Sequence, residues 1–402
     1  MSTRLGILQL LADGNLHSGA DIGRKLGVTR AAVHKGVKAL AANGLGVHAV
    51  AGLGYRLDAP ITPLDRQQIA RTLAAGASAA SRVEVLETVD STNRYLLARA
   101  LADPDPRGMV CLGEVQPQGR GRQGKSWIAT AYENLMMSMA WRFGAGPAMV
   151  VGLSLAAGVA VARALEAFGV PDAGLKWPND ILWGDRMTSS ASPIATVNAD
   201  VSSLTPYPLP AKPTSRFAPS SPSLLPEGEG SEPGRAPRAL LHFGEGGSVR
   251  LRGSMVERKL AGLLVDVHGE ASGPCTVVVG IGVNCRISEA DGRRIDQPWV
   301  DLHTITGATP DRNKLAALLI DRLQEMFETY AVSGLAAYQA DWNRRHLFAN
   351  RPVRLVRHQS SVEGTVDGID DHGALRLRLA DGRVQLFHSG EVSLRAAAEC
   401  VS

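Results

Sequence analysis

"QPQGRGRQGKSW", Gln116–Trp127, is where two possible folds part company. Glycines at 119, 121 and 124 let the backbone approach a ligand closely. Arg120, Arg122 and Lys125 add cationic donors suited to phosphates or to a carboxylate undergoing activation. The stretch also fits the P-loop pattern G-x-x-x-x-G-K-[ST] letter for letter, from Gly119 to Ser126. A P-loop needs a strand before it and a helix opening at its Lys-Ser pair. The strand is legible in 108–115, but the helix is not. Trp127-Ile128-Ala129-Thr130 leads into "NLMMSMAW", an apolar run that reads as a second strand. Two arginines inside the loop are also unusual for a cradle made of backbone N–H groups. The spacing therefore predicts strand–loop–strand. A P-loop ATPase and a merely basic, RNA-like Gly-Arg patch stand as alternatives.

Outward from the loop, helices and apolar strands alternate from about 64 to 345. "MVCLGEV", "LLVDV" and "CTVVVGIGVN" read as strands, and "TNRYLLARAL", "GLSLAAGVAVARALEAF" and "NKLAALLIDRLQEMFETY" as helices. From about 348 short strands recur, with turns at Asp370-Asp371-His372-Gly373 and Asp381-Gly382, which predicts a small β-barrel. Residues 1–58 read as short helices followed by a hairpin. Ser18 caps Ala20–Leu26, Gly27 turns the chain, and Thr29 caps a helix from Arg30 to about Asn43. "VHAVAGLGYRL" then gives strand, glycine turn, strand. Helix-turn-helix plus a β wing is a DNA-binding arrangement. Thr29, Arg30, His34, Lys35 and Lys38 would face the duplex, with Arg56 on the wing. The plainer reading is a small helical domain with solvated basic residues. Ala59-Pro60-Ile61-Thr62-Pro63 marks the boundary.

Composition agrees with this division. The 402 residues allow two or three domains, and 45% apolar content supplies a sizeable core. Of the formal charge of +4, residues 1–60 account for all, with seven Lys and Arg against three Asp and Glu; an anionic partner for that segment follows. The four cysteines form no C-x-x-C pair, no signal-peptide pattern opens the chain, and no apolar run comes near 18–20 residues. Those readings predict a cytoplasmic protein. Residues 187–257 stand apart, holding ten of the 22 prolines and abundant serine. Such a stretch cannot bury enough apolar surface to offset its ordering entropy, so it reads as a disordered insertion; a docked Pro-rich module is the alternative.

Three further segments carry chemistry. Asp90-Ser91-Thr92-Asn93 sets hydroxyls at a helix N-terminus, where they either cap the helix or meet a polar head group. Lys176-Trp177-Pro178-Asn179-Asp180 offers two adjacent oxygen ligands, and a carboxylate beside a nucleotide suits Mg²⁺ held against phosphates; alternatively it is a turn into a strand. Lys259 precedes an apolar strand, and Asn284 follows closely spaced glycines. No Ser-His-Asp order or His/Cys cluster stands out. Cations, glycines, hydroxyls and amides fit nucleotide activation of an acid better than nucleophilic hydrolysis.

In this order, Ser91-Thr92-Asn93, the Gly119–Trp127 loop, Lys176–Asp180, Lys259-Leu260-Ala261-Gly262, Gly280–Asn284 and "GEVSLR" (Gly390–Arg395), the segments resemble bifunctional biotin protein ligases, the bacterial biotin-operon repressors. The likeness covers nearly the whole chain outside 187–257. It implies an α+β architecture: a winged helix-turn-helix over 1–60, a central α/β ligase domain with a mixed sheet over 61–345, and a C-terminal SH3-like β-barrel over 346–402. It implies that biotin's carboxylate attacks the α-phosphorus of ATP, releasing pyrophosphate, and that a lysine of biotin carboxyl carrier protein then takes the biotinyl group from biotinyl-5′-AMP. Arg120 and Lys259 would be the catalytic cations. Ser91, Thr92, Asn93, Gln116, Gly119, Arg120, Gly121, Lys259 and Gly262 would bind biotin. Arg122, Lys125, Trp127, Asn179, Asp180, Asn284 and Arg395 would bind ATP, with Asp180 toward Mg²⁺. The likeness also implies a homodimer when biotinyl-AMP is bound, repressing biotin genes at operator DNA.

Gln123 and Lys125 stand where the family commonly has arginine, and lysine lacks the guanidinium fork. The family also runs directly from an Asp-Arg like Asp185-Arg186 into Lys-x-x-Gly, whereas here 187–257 intervenes. An insertion at a hairpin tip costs roughly 3 kcal/mol of closure entropy for ~70 residues against ~3. A DNA-binding biotin regulator whose ligase body the insertion disables is therefore the runner-up.

Overall fold

The computed structural model describes residues 3–74, 82–184, 257–270, 272–357, 360–388 and 392–396. Asp185, Arg186 and, Glu257 apart, the stretch read as an insertion lie outside the described residues.

Helices α1 (Thr3–Leu11), α2 (Gly19–Leu26) and α3 (Arg30–Ala42) pack around Ile7, Leu8, Leu11, Ile22, Val33, Val37 and Leu40. The local signals act as read. Ser18 Oγ accepts from the Asp21 N–H at 3.0 Å, Gly27 turns the chain at φ 66°, and Thr29 Oγ1 accepts from the Ala32 N–H at 3.2 Å. Strands β1 (Val47–Val50) and β2 (Gly54–Leu57) form the antiparallel wing. The apolar core of this segment also takes in Val115 and Tyr132 from the following body. Tyr132 is fully buried at φ 62°, a left-handed backbone that is costly for an aromatic residue. Ring burial offsets that cost, and its hydroxyl accepts from Asn43 Nδ2 at the end of α3, 3.2 Å away.

The body continues through α4 (Arg66–Thr72), β3 (Val83–Thr88), α5 (Thr92–Ala102), β4 (Met109–Val115), β5 (Leu135–Phe143), α6 (Leu153–Phe168), β6 (Ala173–Lys176), β7 (Asp180–Trp183), β8 (Arg258–Gly269) and β9 (Cys275–Val283). Then follow α7 (Glu289–Gly292), α8 (Leu302–Thr306), α9 (Arg312–Ser333) and α10 (Ala336–Arg345). The seven strands order as β3-β4-β5-β9-β8-β7-β6; only β3–β4 is parallel, so the sheet is mixed. Alternation along each strand splits the core in two. Met139, Val277 and Val279 join the main core with α6 and α9, while Ala140 and Val278 join Leu96 and Ala100 of α5 on the other face. One sequence expectation fails here. Within Pro147–Phe168 an 18-residue window reaches a mean hydropathy of 1.9, so an apolar run of membrane-spanning length does exist. Two-thirds of that window is buried inside the protein, between the sheet and neighbouring helices, where a helix is apolar nearly all round.

Strands β10 (Pro352–Arg357), β11 (Ser360–Ile369), β12 (Leu375–Arg378), β13 (Val384–Phe387) and β14 (Val392–Ala396) make an antiparallel sheet ordered β13-β12-β11-β10-β14. The turns at 370–373 and 381–382 fall where the sequence places them, with Gly373 and Gly382 at φ 78° and 82°. Among the described residues β13 and β14 remain the two edges of this sheet, so the expected barrel is present as its five strands and not as a closed ring.

Candidate functional site

A cleft of about 460 Å³ opens where α5, the Gln116–Trp127 loop, the β6–β7 turn and strands β8 and β9 converge. It gathers Ser91, Thr92, Asn93, Gln116, Arg120, Gly121, Arg122, Lys125, Trp127, Asn179, Asp180, Lys259 and Gly262, which lie in four separate segments of the sequence.

The Gly-Arg loop is a small closed hairpin. Gly121 N–H donates to Lys125 O at 2.7 Å and Trp127 N–H to Gly119 O at 2.9 Å, around a 3₁₀ turn at Arg122–Gly124. Gln123 and Gly124 take left-handed φ of 54° and 72°. No helix opens at Lys125-Ser126, and the next strand begins at Leu135, so the P-loop alternative fails on geometry.

At the opposite wall the β6–β7 turn is held from behind. The Trp177–Pro178 peptide is cis, Trp177 is buried, and its Nε1 donates to Gly373 O at 3.1 Å in the β11–β12 turn of the C-terminal segment. His346 Nε2 lies 3.5 Å from the Trp177 N–H as acceptor. Burial, and then the nearby Lys176 charge, pull the His346 imidazole down from 6.5 to about 3, so it is neutral. The sign of the consequence follows by linkage. Below about pH 6.5 the unfolded chain gains a proton there that the native state refuses, and stability falls by about 1.4 kcal/mol per pH unit toward pH 3. Denaturant unfolding at pH 7 and pH 5 is expected to differ by about 2 kcal/mol more in the native protein than in His346→Gln; equal differences would remove His346 as the cause.

Asn179 turns its amide inward, donating to Leu263 O at 2.6 Å and accepting from Arg122 Nη1 at 3.3 Å. It thereby fixes the loop against β8. Asp180 pairs with Lys259 Nζ at 2.8 Å, both side chains under one-fifth exposed. A β-bulge makes that pair possible. Asp180 opposes Gly262 and Ile181 opposes Ala261, but Leu182 already opposes Lys259, leaving Leu260 as the extra residue. Lys259 and Gly262, three apart, would otherwise point to opposite faces. With the bulge they share one: a Cβ at Gly262 would lie 3.2 Å from Lys259 Cε and 2.9 Å from the Trp127 ring. A Cβ at Gly282 would overlap that ring outright. Trp127 thus lies flat on two glycines, with Lys259 Nζ 5.4 Å over its ring centre. Its Nε1 is buried without a partner among the described residues.

Gly119 packs at the root of the loop, where a Cβ would be 3.1 Å from Gln116 Nε2. Asn284 lies behind the cleft, donating to Lys259 O at 3.1 Å and Val300 O at 3.2 Å, and borders a small adjoining cavity. The backbone of Arg395 is in β14; its side chain lies outside the described residues. Sequence reasoning missed Arg294, Asp296 and Gln297, which reach the cleft from the segment after α7, and Ser138 behind Thr92. Lone polar residues in a loop and a hydroxyl inside a strand carry no spacing signal.

For a divalent cation the donor set is thin. Asp180 and Asp296 are the carboxylates on the cleft wall, and Asp180 is already paired with Lys259. No group of three or more His, Cys, Asp or Glu placed to hold a metal ion occurs among the described residues. That suits an ion bound mostly through substrate phosphates, as Mg²⁺ commonly is, and not a resident metal.

Residues 3–56 match a helix-turn-helix domain, 85–191 the biotin/lipoate A/B protein ligase family, and 348–395 the biotin protein ligase C-terminal domain. The class is a ligase body carrying a helix-turn-helix domain. The chain belongs to the family of bifunctional ligase/repressors: it is 32% identical over 393 residues to BirA of Salmonella typhimurium, spanning 98% of each chain, and 32% identical to BirA of Escherichia coli, spanning 98% of this chain and 97% of that one. It is also 28% identical over 335 residues to the biotin–[acetyl-CoA-carboxylase] ligase of Mycobacterium tuberculosis, covering 82% of this chain and 95% of the other. In fold it is similar to the Aquifex aeolicus biotin protein ligase solved with biotin and ATP, at a TM-score of 0.50 and 20% identity, covering 79% of this chain and 99% of that one.

Proposed function

We infer that the protein activates biotin with ATP to biotinyl-5′-AMP, transfers the biotinyl group to a lysine of biotin carboxyl carrier protein, and represses biotin-synthesis genes through its N-terminal domain. The observation that carries the reading is the Lys259–Asp180–Trp127 assembly on the cleft wall. An anionic acid meeting a polyanionic nucleotide needs fixed cations, and those already in place require no reorganisation at the moment of reaction. Lys259 and Arg120 are assigned to the biotin carboxylate and the developing charge on the α-phosphate. Ser91, Thr92, Gln116 and Gly121 serve the ring end of biotin. Arg122, Lys125 and Arg395 serve the triphosphate, and Trp127 the adenine side. Asn93, Asn179 and Asn284 have their amides engaged by protein groups and act by positioning. Mg²⁺ would enter with ATP and offset phosphate charge, with Asp180 as the residue to hold it.

The runner-up, a regulator disabled by its insertion, is disfavoured by the hairpin itself. Trp183 still opposes Arg258, and a Cβ at Gly184 would lie 3.7 Å from Glu257 Cα, so chain leaves and returns at adjacent points. Biotin-dependent ATP–pyrophosphate exchange and labelling of a carrier lysine are expected in the full chain, and retained when 187–256 is deleted. Absence of both from folded full-length protein, with recovery on deletion, would establish the runner-up. Absence from both proteins would end the ligase reading.

On the N-terminal side, Arg30, His34, Lys35 and Lys38 are exposed along α3, Arg56 is exposed on the wing, and His34 Nδ1 lies 3.1 Å from the Tyr55 hydroxyl, tying helix to wing. Thr29, whose hydroxyl caps α3, positions the helix for DNA. Lys35→Ala is expected to weaken operator binding and to lower the slope of log K against log salt by about 1; an unchanged slope would take Lys35 off the phosphate backbone. A cytoplasmic location and a dimer formed with biotinyl-AMP complete the proposal.

A further inference from the structure

Behind the cleft wall lies a chain of polar groups whose hydrogens can be counted. Asn93 Nδ2 lies 3.2 Å from Leu264 O and 3.1 Å from Asp266 Oδ2. The Leu264 carbonyl can only accept, so the amide orientation is fixed and Oδ1 must face the other way. There it meets Ser138 Oγ at 2.6 Å. An amide oxygen cannot donate, so the one hydrogen of Ser138 goes to Asn93. Ser138 is fully buried, and its oxygen is 2.8 Å from Thr92 Oγ1. That second contact therefore takes its hydrogen from Thr92. The other acceptor within reach of Thr92 is Gln116 Oε1 at 3.1 Å, which also accepts the Thr92 N–H at 2.8 Å. Either way the Thr92 hydrogen stays within the protein.

We propose that Ser138 and Asn93 are positioning residues that set the polarity of the site: they hold Thr92 as a hydrogen-bond acceptor, so the cleft selects a ligand that presents an N–H donor there. Close packing supports the fixed arrangement, since a Cβ at Gly280 would overlap Asn93 Oδ1. The same count orients the Gln116 amide: its Oε1 is held by the Thr92 N–H, so Nε2, the donor end, faces the other way. Both residues line the cleft, so it offers an acceptor and a donor, matching the N–H and C=O of a cyclic urea. The inference rests on the reading of this cleft as a biotin site, and it concerns which atoms enforce the choice.

The test uses the full-length protein with biotin and the two cyclic carbamates in which one or the other ring N–H of biotin is replaced by oxygen. Equilibrium dissociation constants are measured for all three. The native protein is expected to bind one carbamate at least about 100-fold more weakly than biotin, since a site built to receive an N–H rejects the analogue lacking it. In Ser138→Ala the Thr92 hydroxyl loses its nearer acceptor, keeps only Gln116 Oε1 at 3.1 Å, and can turn to donate to the ring oxygen, so the ratio is expected to fall about tenfold. Asn93→Leu frees the Ser138 hydrogen for Thr92 and should relax the ratio equally, while the double variant relaxes it no further, because one proton is at issue. Thermal melts identify any variant that fails to fold, and the other then carries the test. A weakening of biotin and both carbamates by one common factor would overturn the proposal, because a purely structural role predicts that result. If the native protein binds none of the three, the biotin reading fails; if it binds all three alike, the polarity inference fails while that reading stands.

Discussion

Lys259→Ala is expected to lower biotin-dependent ATP–pyrophosphate exchange by on the order of 10²–10³-fold, the effect of removing one fixed charge from a site where charge develops. Two things are lost together. The ammonium no longer faces the reacting carboxylate and phosphate. Asp180, its partner at 2.8 Å, becomes an unpaired negative charge in a cleft that must admit two anions. Lys259→Arg should not restore the rate, because the bulge fits a compact ammonium between Asp180 and the Trp127 ring, and a planar fork has a different reach. Pyrophosphate exchange on the folded variants decides it. A loss under tenfold in Lys259→Ala would mean that Lys259 is a structural ion-pair partner only.

Arg312→Met is expected to destabilise the protein by about 3–5 kcal/mol. The Arg312 and Glu114 side chains are each 2% exposed and paired at 2.7 Å. Arg312 also donates to Thr62 O at 2.9 Å and Asn134 O at 2.9 Å, and Glu114 Oε1 accepts the Leu64 N–H at 2.6 Å. One buried pair thus clamps the connection after the winged domain, β4, the start of β5 and the start of α9. Removing only the arginine leaves a buried carboxylate without its countercharge. Removing both charges in Glu114→Leu/Arg312→Met should recover much of the loss, since desolvation is then relieved on both sides. Denaturant midpoints of the three proteins measure this. A single-variant loss below about 1 kcal/mol would show that water or another cation compensates Glu114.

The two predictions differ in how far the sequence foresaw them. Lys259 stood out through its Lys-x-x-Gly spacing and its place in an ordered set of motifs. Glu114 and Arg312, 198 positions apart, carry no mark in the sequence, because a buried ion pair is defined only by what surrounds it. Ser138 was hidden for a related reason: it looks like one polar residue in an apolar strand. Conversely, an expectation drawn from local composition erred at Pro147–Phe168, where membrane-like hydropathy belongs to a helix enclosed by sheet and neighbouring helices. The glycines show a middle case. Their clustering signalled close approach, but only the fold shows that what approaches Gly262 and Gly282 is the Trp127 ring.

Taken alone, the sequence determined what local chemistry can determine. Caps at Ser18 and Thr29 set the ends of two helices, and the apolar runs set most strands. The absence of a helix signal after Lys125-Ser126 ruled against a phosphate loop, and the motif order pointed to the ligase family. The tertiary structure decided the rest. Extra backbone at Leu260 turns Lys259 onto the face of Asp180, and Trp183 and Arg258 close the β7–β8 hairpin although they lie far apart in sequence. A fixed amide at Asn93 passes its orientation through Ser138 to Thr92. Register, bulges and hydrogen direction depend on strands brought together from distant positions, and no local stretch of chain contains that information.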